Sequence, residues 1–308
     1  MSDGVHLLIP FASSPTEGCR EAIRRLRLPR LEQLLGRWTE GAPDAGEAQS
    51  LSPPHERALA LARGWPVADG LVPLAAWDAH QAGLPHGAGG WARVSPCHWR
   101  VGTDHVAMAD PGELQLDETG SRAVLAIAAP YFEQDGLTLH YHGPLLWLAQ
   151  GALFEDLPTA SLDRVIGREI DPWMPRSEAA RPLRRLQQEM QMLLYTAPWN
   201  DERQARGHLP VNSMWVSGTG RLPAATIASN EPQVNTALRG AALRDDWAGW
   251  SAAWEQLDAE FADAALARIT LCGERGARTW SAAGTRSLAQ RLGALWRRPA
   301  LTDILESL

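Results

Sequence analysis

The chain has 308 residues, of which 45% are apolar and 21% charged, values typical of a folded globular protein and not of a disordered one. Its formal net charge is −7 and the acidic residues are spread along the chain, which argues against a nucleic-acid partner because phosphate backbones bind basic surfaces. The three cysteines are widely spaced, which predicts no disulfide framework, and the N-terminus lacks the basic region of a signal peptide. No apolar run is long enough to span a membrane, so we expect a cytoplasmic protein without membrane contact.

The first part of the chain predicts a strand followed by helices. Residues 5–11 form a short apolar run that ends in a turn-rich stretch, as a buried strand at the start of an α/β sheet does. Helices are predicted over residues 19–28 and after Pro29. Residues 39–54 are rich in Gly, Pro and Ala, which predicts a loop or a disordered linker. Residues 55–82 have helical spacing interrupted by prolines.

The middle of the chain predicts alternating strands and helices. Residues 84–90 (LPHGAGG) indicate a flexible break, and residues 91–111 alternate as strands do. A helix is predicted over residues 118–132 and a strand over residues 137–143. An amphipathic helix with proline in its first turn is predicted over residues 181–195.

The last third begins with a predicted buried strand over residues 211–223 that opens into a Gly-rich turn. Trp247, Trp250 and Trp254 then fall at helical spacing after Asp245 and Asp246, which are candidate N-caps. We interpret this aromatic stripe as core or interface and not as a cofactor site. Residues 267–280 predict a strand, a glycine turn and a return strand.

This order of elements predicts an α/β fold with an inserted α+β subdomain. We place the core α/β domain at residues 1–90 and 211–308, so that both ends of the chain build one sheet. The inserted subdomain then covers residues 91–210.

Residues 159–223 resemble the archaeal-type cofactor-independent phosphoglycerate mutases. A long helix precedes a motif in which Asn, Arg, Gly, Asn, Trp and Gly recur at the family's spacing, here Ala197, Pro198, Asn200, Arg203, Gly207, Asn212, Trp215, Gly218 and Gly220. The segments HWRVGTDHVAMADP, LSPPHERALA and NSMWVSG are also similar to a bacterial family called regulatory protein RpfE.

The resemblance implies an alkaline-phosphatase-like sheet flanked by helices, with residues 91–210 as a lid-like substrate subdomain. It also implies two divalent metals, held by an Asp after the first strand and by Asp and His ligands in the last third, which activate a Ser nucleophile. Here the first strand ends in Ile9, Pro10 and Phe11, and no histidine follows His208. We therefore expect the inherited phosphoryl-transfer site to be absent, with Ser13 and Ser14 remaining as hydroxyls.

Two sets of residues are candidate sites. Arg164, Asn200, Arg203 and Asn212 are types that bind phosphate or carboxylate, and the resemblance places their neighbourhood at the cleft. Equally, the asparagines could cap turns and Arg203 could form a structural ion pair.

The second set would hold a metal. His98, Asp104 and His105 lie within eight residues of one another, and His140 and His142 share one face of a strand. Because neither cluster follows a known ligand spacing, we favour surface or core polar roles for both.

Three functions stay open. The leading hypothesis is a non-catalytic regulatory or ligand-sensing protein that binds a small phosphorylated or carboxylated metabolite and needs no cofactor. The second is an active phosphomutase or phosphatase with a rebuilt divalent-metal site. The third is a protein–protein adaptor in which the 14 tryptophans supply anchoring patches.

Overall fold

The computed structural model describes residues 4–85, 89–223, 231–262, 264–282 and 300–308. The strands, in chain order, are β1 Val5–Ile9, β2 Thr39–Glu40, β3 Asp44–Ala45, β4 Gly90–Cys97, β5 Trp99–Val101, β6 Val106–Met108, β7 Thr138–Gly143, β8 Leu146–Gly151, β9 Ser213–Gly220, β10 Gln233–Val234, β11 Leu266–Cys272 and β12 Gly276–Ser281. The α-helices are α1 Glu17–Arg25, α2 Pro29–Arg37, α3 Pro54–Ala62, α4 Leu74–Gln81, α5 Glu118–Gln134, α6 Arg181–Tyr195, α7 Pro198–Ala205, α8 Arg239–Ala242, α9 Trp247–Glu260 and α10 Leu301–Glu306.

The chain divides into two compact units. The first comprises residues 1–49, 53–64 and 226–308, and the second comprises residues 50–52 and 65–225. This division differs from the predicted boundaries, because residues 65–90 and 211–225 belong to the second unit. The reason is strand pairing: β9 is hydrogen-bonded to β4, and α4 packs on both strands.

The first unit contains a mixed sheet with the strand order β10-β1-β11-β12-β2, and β3 also pairs with β12. β1 runs parallel to β10 and β11, whereas β11 and β12 form an antiparallel hairpin. The prediction of an unstructured segment over residues 39–54 is wrong in part, because β2 and β3 lie within it. Each of these strands has two residues, too few to show the period-two alternation by which strands are recognised in a sequence.

One face of this sheet carries the larger apolar core of the first unit. Leu7 and Ile9 of β1 point into it together with Ile269 and Leu271 of β11, as the alternation of side chains along a strand requires. Helices α1, α2, α9 and α10 contribute to the same cluster. Trp250 and Trp254 are fully buried there, which confirms the predicted core role of the tryptophan stripe. Helix α3 packs on β1, β11 and β12, against the small apolar cluster of Leu8, Cys272 and Ala277.

Aspartates define two helix starts in this core. The carboxylate of Asp246 accepts a hydrogen bond from the Gly249 amide at 2.9 Å, so Asp246 is the N-cap of α9, one of the two predicted candidates. Helix α2 has no side-chain cap of its own. Instead, buried Asp258 of α9 accepts from the Leu31 amide at 2.7 Å, which ties the start of α2 to α9.

The second unit is an α+β arrangement around an antiparallel sheet in the order β7-β8-β4-β9. An apolar cluster between the sheet, α5 and α6 includes Phe132, Trp147 and Met190. Helix α4 contributes a separate cluster with Trp91 of β4 and Leu148 of β8. The predicted helix over residues 181–195 coincides with α6, and residues 138–143 of the predicted strand form β7.

Two details of the predictions change. Gly218 and Gly220 lie inside β9 with positive φ angles of 62° and 136°, so this segment is a glycine-containing strand and not a strand that opens into a turn. The centre of the predicted break at 84–90, residues 86–88, lies outside the described residues. The predicted α/β class, a sheet flanked by helices, is confirmed. No helix in the described ranges combines the length and apolarity needed to cross a bilayer.

Candidate functional site

The loop after β1 lies at the carboxyl end of the parallel strands, where ligands of open α/β sheets bind. Phe11 has a φ of 58°, in the left-handed region that non-glycine residues seldom adopt. Its carbonyl accepts from the Trp250 indole at 2.9 Å, and the next amide, that of Ala12, donates to the Cys272 carbonyl at 2.8 Å. This loop is therefore held by the core and by β11.

The two serines of this loop are placed by local packing. Ser14 takes part in the turn before α1: its amide donates to the Cys19 sulfur at 3.3 Å, and its Oγ accepts from the Thr16 amide at 3.4 Å. Ser13 is buried against Gly273, where an added Cβ would lie only 2.6 Å from the Ser13 Oγ and from the Leu308 Cβ. Only glycine fits at position 273, so Gly273 lets the loop after β1 and the β11–β12 turn approach each other closely.

A cavity of about 380 Å³ opens beside this turn. Its walls come from the segment around β3, from the β11–β12 turn and the first residues of β12, and from the end of the described chain, namely Pro43, Asp44, Ala45, Gly46, Arg275, Gly276, Ala277, Arg278, Ser307 and Leu308. The amides of Arg275 and Gly276 donate to the Leu308 oxygen at 3.0 and 2.7 Å, which fixes the backbone of the turn. All ten lining residues belong to the first unit.

Arginines dominate the charge of this cavity. The Arg275 side chain is exposed, and its guanidinium has no hydrogen bond or ion pair within the described residues. Arg278 is partly buried, with its Nε 2.7 Å from the Glu40 Oε1 and its Nη1 donating to the Ser307 hydroxyl at 3.1 Å. Asp44 is paired with buried Arg57 at 2.8 Å. The cavity therefore offers a guanidinium without a partner among the described residues, that of Arg275, and a shared one, that of Arg278, while the charge of its aspartate is already compensated.

Guanidinium groups bind the oxygens of phosphates and carboxylates with two parallel hydrogen bonds. Arg275 and Arg278 bring such donors to the lining of a space that suits a small molecule, whereas the Ser307 hydroxyl donates its hydrogen to the Ile304 carbonyl at 2.7 Å. Asp44 accepts two Arg57 hydrogens on one carboxylate oxygen, so it is held in a structural pair. The arrangement can hold a small anion.

The predicted residues Asn200 and Asn212 lie elsewhere, in the second unit, and bind backbone. Buried Asn200 donates to the carbonyls of Leu194 and Val211 at 2.7 and 2.8 Å and accepts from the Val211 amide at 3.0 Å. Asn212 accepts from the Trp99 amide at 2.7 Å and donates to the Trp99 carbonyl at 2.9 Å. Both side-chain amides thus hydrogen-bond to main-chain groups as a peptide group does, and they join α7 and the start of β9 to neighbouring segments.

The two predicted arginines also have protein partners. Arg203 of α7 donates to the carbonyls of Leu209, at 3.1 and 3.0 Å, and of Leu114. Burial lowers the pKa of its guanidinium below the usual value for arginine. Arg164 is buried in a short 3-10 turn and donates to the Ser50 hydroxyl at 3.0 Å. Arg203 thus makes carbonyl contacts in place of the structural ion pair that was one of the two alternatives, and a ligand role for the four residues stays a prediction of the sequence alone.

The predicted metal candidates occupy the β5–β6 region. The Nδ1 of His98 donates to the Pro210 carbonyl at 2.9 Å, and exposed Asp104 and His105 contact each other at 3.1 Å. Within the ranges that the structure describes, no three His, Cys, Asp or Glu side chains are grouped to hold a metal ion. His140 stacks against Trp91 with ring centroids 5.4 Å apart, and burial lowers its pKa below the ordinary value for histidine.

Arg275 and Arg278 were not among the candidates from the sequence. Their only signal is the turn Gly-Glu-Arg-Gly-Ala-Arg between two predicted strands, in which two arginines flank a glycine. That pattern is common in exposed hairpin turns, so it does not distinguish a binding turn from a solvated one. The wall formed by residues 43–46 comes from a distant part of the sequence, and only the pairing of β3 with β12 places it there.

No protein-family model matches the chain, and no curated protein matches it significantly. Among solved structures, the chain is similar to a cofactor-independent phosphoglycerate mutase from Thermoplasma acidophilum, with 14% identity over 90% of this chain and 89% of that one and a TM-score of 0.39. It is also similar to the PH0037 protein from Pyrococcus horikoshii, with 14% identity over 91% and 87% of the two chains and a TM-score of 0.43. The likeness to the mutase fold is distant and carries no activity, ligand or metal over to this chain.

Proposed function

We propose that this chain is a non-catalytic binding protein for a small anionic metabolite, and that the ligand occupies the cavity beside the β11–β12 turn. The observation that carries this proposal is Arg275, which lines the cavity and whose guanidinium has no partner among the described residues. An unpaired arginine beside a second, shared arginine is the arrangement that binds a phosphate or carboxylate group.

The chemistry of the lining supports binding without turnover. The donors are two guanidiniums, whereas the Asp44 carboxylate is paired with Arg57 and so is a poor general base. The cavity also lies on the side of the carboxyl end of β11, the edge at which ligands of parallel sheets bind. A protein that senses a metabolite needs only this affinity and a structural response.

Calorimetric titration of the full chain with inorganic phosphate and with succinate tests the proposal. We expect at least one of these anions to bind at one site per chain, and to bind equally well whether or not a chelator is present. Arg275→Ala weakens that binding by about tenfold or more, the scale of one lost charge-assisted hydrogen-bonding group. Arg25→Ala is the matched control, since Arg25 is a highly exposed arginine on α1 of the same unit and makes only a 3.9 Å ion pair.

Three results would contradict the proposal. Equal losses in the two variants would show that the anion responds to net charge and not to the cavity. Failure of both anions to bind either the folded wild-type chain or its Glu40→Gln variant, which frees Arg278 from its carboxylate partner, would remove the site. Metal-dependent hydrolysis of a phosphate ester would instead support the enzyme with a rebuilt metal site.

A further inference from the structure

The cavity wall around β3 belongs to a short segment that is attached to the edge of the first sheet at two places. This segment, residues 39–46, is called the strap below. Its first attachment is β2, in which Glu40 pairs with Trp280 of β12, and its second is β3, in which Asp44 pairs with Ala277. Between the two, the strap has three residues opposite two of β12, so it bulges out beside Arg278.

Each attachment combines backbone hydrogen bonds with one ion pair. At the first, the Gly41 amide donates to the Thr279 carbonyl at 2.8 Å, and Glu40 contacts Arg278 at 2.7 Å. At the second, the Gly46 amide donates to the Arg275 carbonyl at 2.9 Å, and Asp44 contacts Arg57 at 2.8 Å.

The two attachments differ in their relation to the cavity. Arg278 lines the cavity, and its partner Glu40 is about one-third exposed. Arg57 is 93% buried, lies outside the cavity lining and also donates to the Arg275 carbonyl at 3.1 Å. An anion in the cavity therefore meets the arginine of the first attachment, while the arginine of the second stays covered.

We infer that Glu40 is an internal competitor for the anion site and that ligand binding releases the first attachment of the strap. This inference rests on the proposed function. An oxyanion held by Arg275 and Arg278 takes the place of the Glu40 carboxylate on Arg278 and repels it, because two negative charges beside one guanidinium repel each other. Glu40 then turns towards solvent, and its ion pair with Arg278 no longer supports the pairing of β2 with the end of β12.

Only one end of the strap responds to the ligand. The Asp44–Arg57 pair does not share its arginine with the ligand, so β3 remains in place and acts as the fixed end of the strap. Ligand occupancy thus becomes a change at residues 39–41, an edge segment that a partner protein can contact.

Amide hydrogen exchange of the full chain, followed by NMR, tests this response with inorganic phosphate as the probe. We expect saturating phosphate to speed exchange of the Gly41 amide about fivefold or more and to leave the Gly46 amide unchanged, because only the first attachment opens. Glu40→Gln removes the competitor. This variant is expected to bind phosphate about three- to tenfold more tightly and to show fast Gly41 exchange without phosphate.

Glu21→Gln is the control for net charge, since Glu21 is an exposed acid on α1 that makes a 3.9 Å pair with Arg25. It is expected to change neither affinity nor Gly41 exchange. If phosphate binds the wild-type chain but Gly41 exchange stays constant, and Glu40→Gln binds no better than Glu21→Gln, the competitor role is refuted while the anion site stands. If neither the wild-type chain nor Glu40→Gln binds phosphate, both proposals are overturned. Binding to Glu40→Gln alone would support both.

Discussion

Replacing Asn200 by alanine tests whether this residue of the mutase-like motif serves the fold or a ligand. Its side chain is 2% exposed and makes three hydrogen bonds of 2.7–3.0 Å to backbone groups of Leu194 and Val211. In the alanine variant, the Val211 amide and carbonyl lose these partners inside the protein. Each buried polar group left unsatisfied costs about 1–3 kcal/mol. The Leu194 carbonyl keeps one bond, from the Ala197 amide at 3.3 Å, so its loss is smaller.

We therefore expect Asn200→Ala to lower the free energy of unfolding by about 3–5 kcal/mol, measured as the shift of the urea midpoint by circular dichroism. Asp201→Ala is the matched control on the same helix, because Asp201 is exposed, and we expect it to stay within about 0.5 kcal/mol of wild type. The reasoning is refuted if Asn200→Ala unfolds at the wild-type midpoint but loses phosphate binding, since that result would assign the side chain to a ligand.

Three other predictions follow from buried groups. Burial and the charge of Arg268 lower the pKa of His6 to about 4, so the folded chain binds this proton less well than the unfolded one. The contribution of His6 to the free energy of unfolding is then fully present above about pH 6.5, and it falls by about 1–2 kcal/mol as the pH drops to 4, after allowance for partial exposure. Urea midpoints of wild type and His6→Gln, measured across this pH range, should show the fall in wild type and not in the variant. Gly90→Ala is expected to cost about 2 kcal/mol or more in thermal unfolding, because a Cβ there would lie 2.3 Å from the Phe154 backbone, whereas Gly143→Ala, with open space around it, should be nearly neutral. The three cysteines are fully buried and burial raises the pKa of each thiol, so a thiol reagent at pH 8 should label them only after unfolding; fast labelling of the native chain would contradict this.

Residue type alone does not distinguish a ligand-binding role from a structural role for the residues of the motif. An asparagine or an arginine offers the same donors to a ligand as to a main-chain carbonyl. The motif places Asn200, Arg203 and Asn212 close together, and the structure directs all three to backbone groups of the second unit. The sequence left both a ligand role and a structural role open for these residues. Their contact partners come from segments up to 113 residues away, so residue type could not identify them.

Much of the secondary structure follows from the sequence, because it depends on local periodicity. A short apolar run predicted β1, period-two alternation predicted β7, and the spacing of apolar residues with proline or aspartate at the start predicted α6 and α9. The burial of Trp250 and Trp254 follows from the same spacing, since side chains three or four positions apart share one helix face.

Local sequence patterns of up to about 20 residues specify the long helices and strands and the core tryptophans, and the order of these elements along the chain specifies the α/β class. The tertiary structure alone decided the pairing of β2 and β3 with β12, the cap that Asp258 supplies to α2, and the cavity in which Arg275 and Arg278 meet residues 43–46. These features join segments more than 200 residues apart by hydrogen bonds and ion pairs. A two-residue strand or a single arginine has no local signature, so its role appears only when folding brings its partner to it.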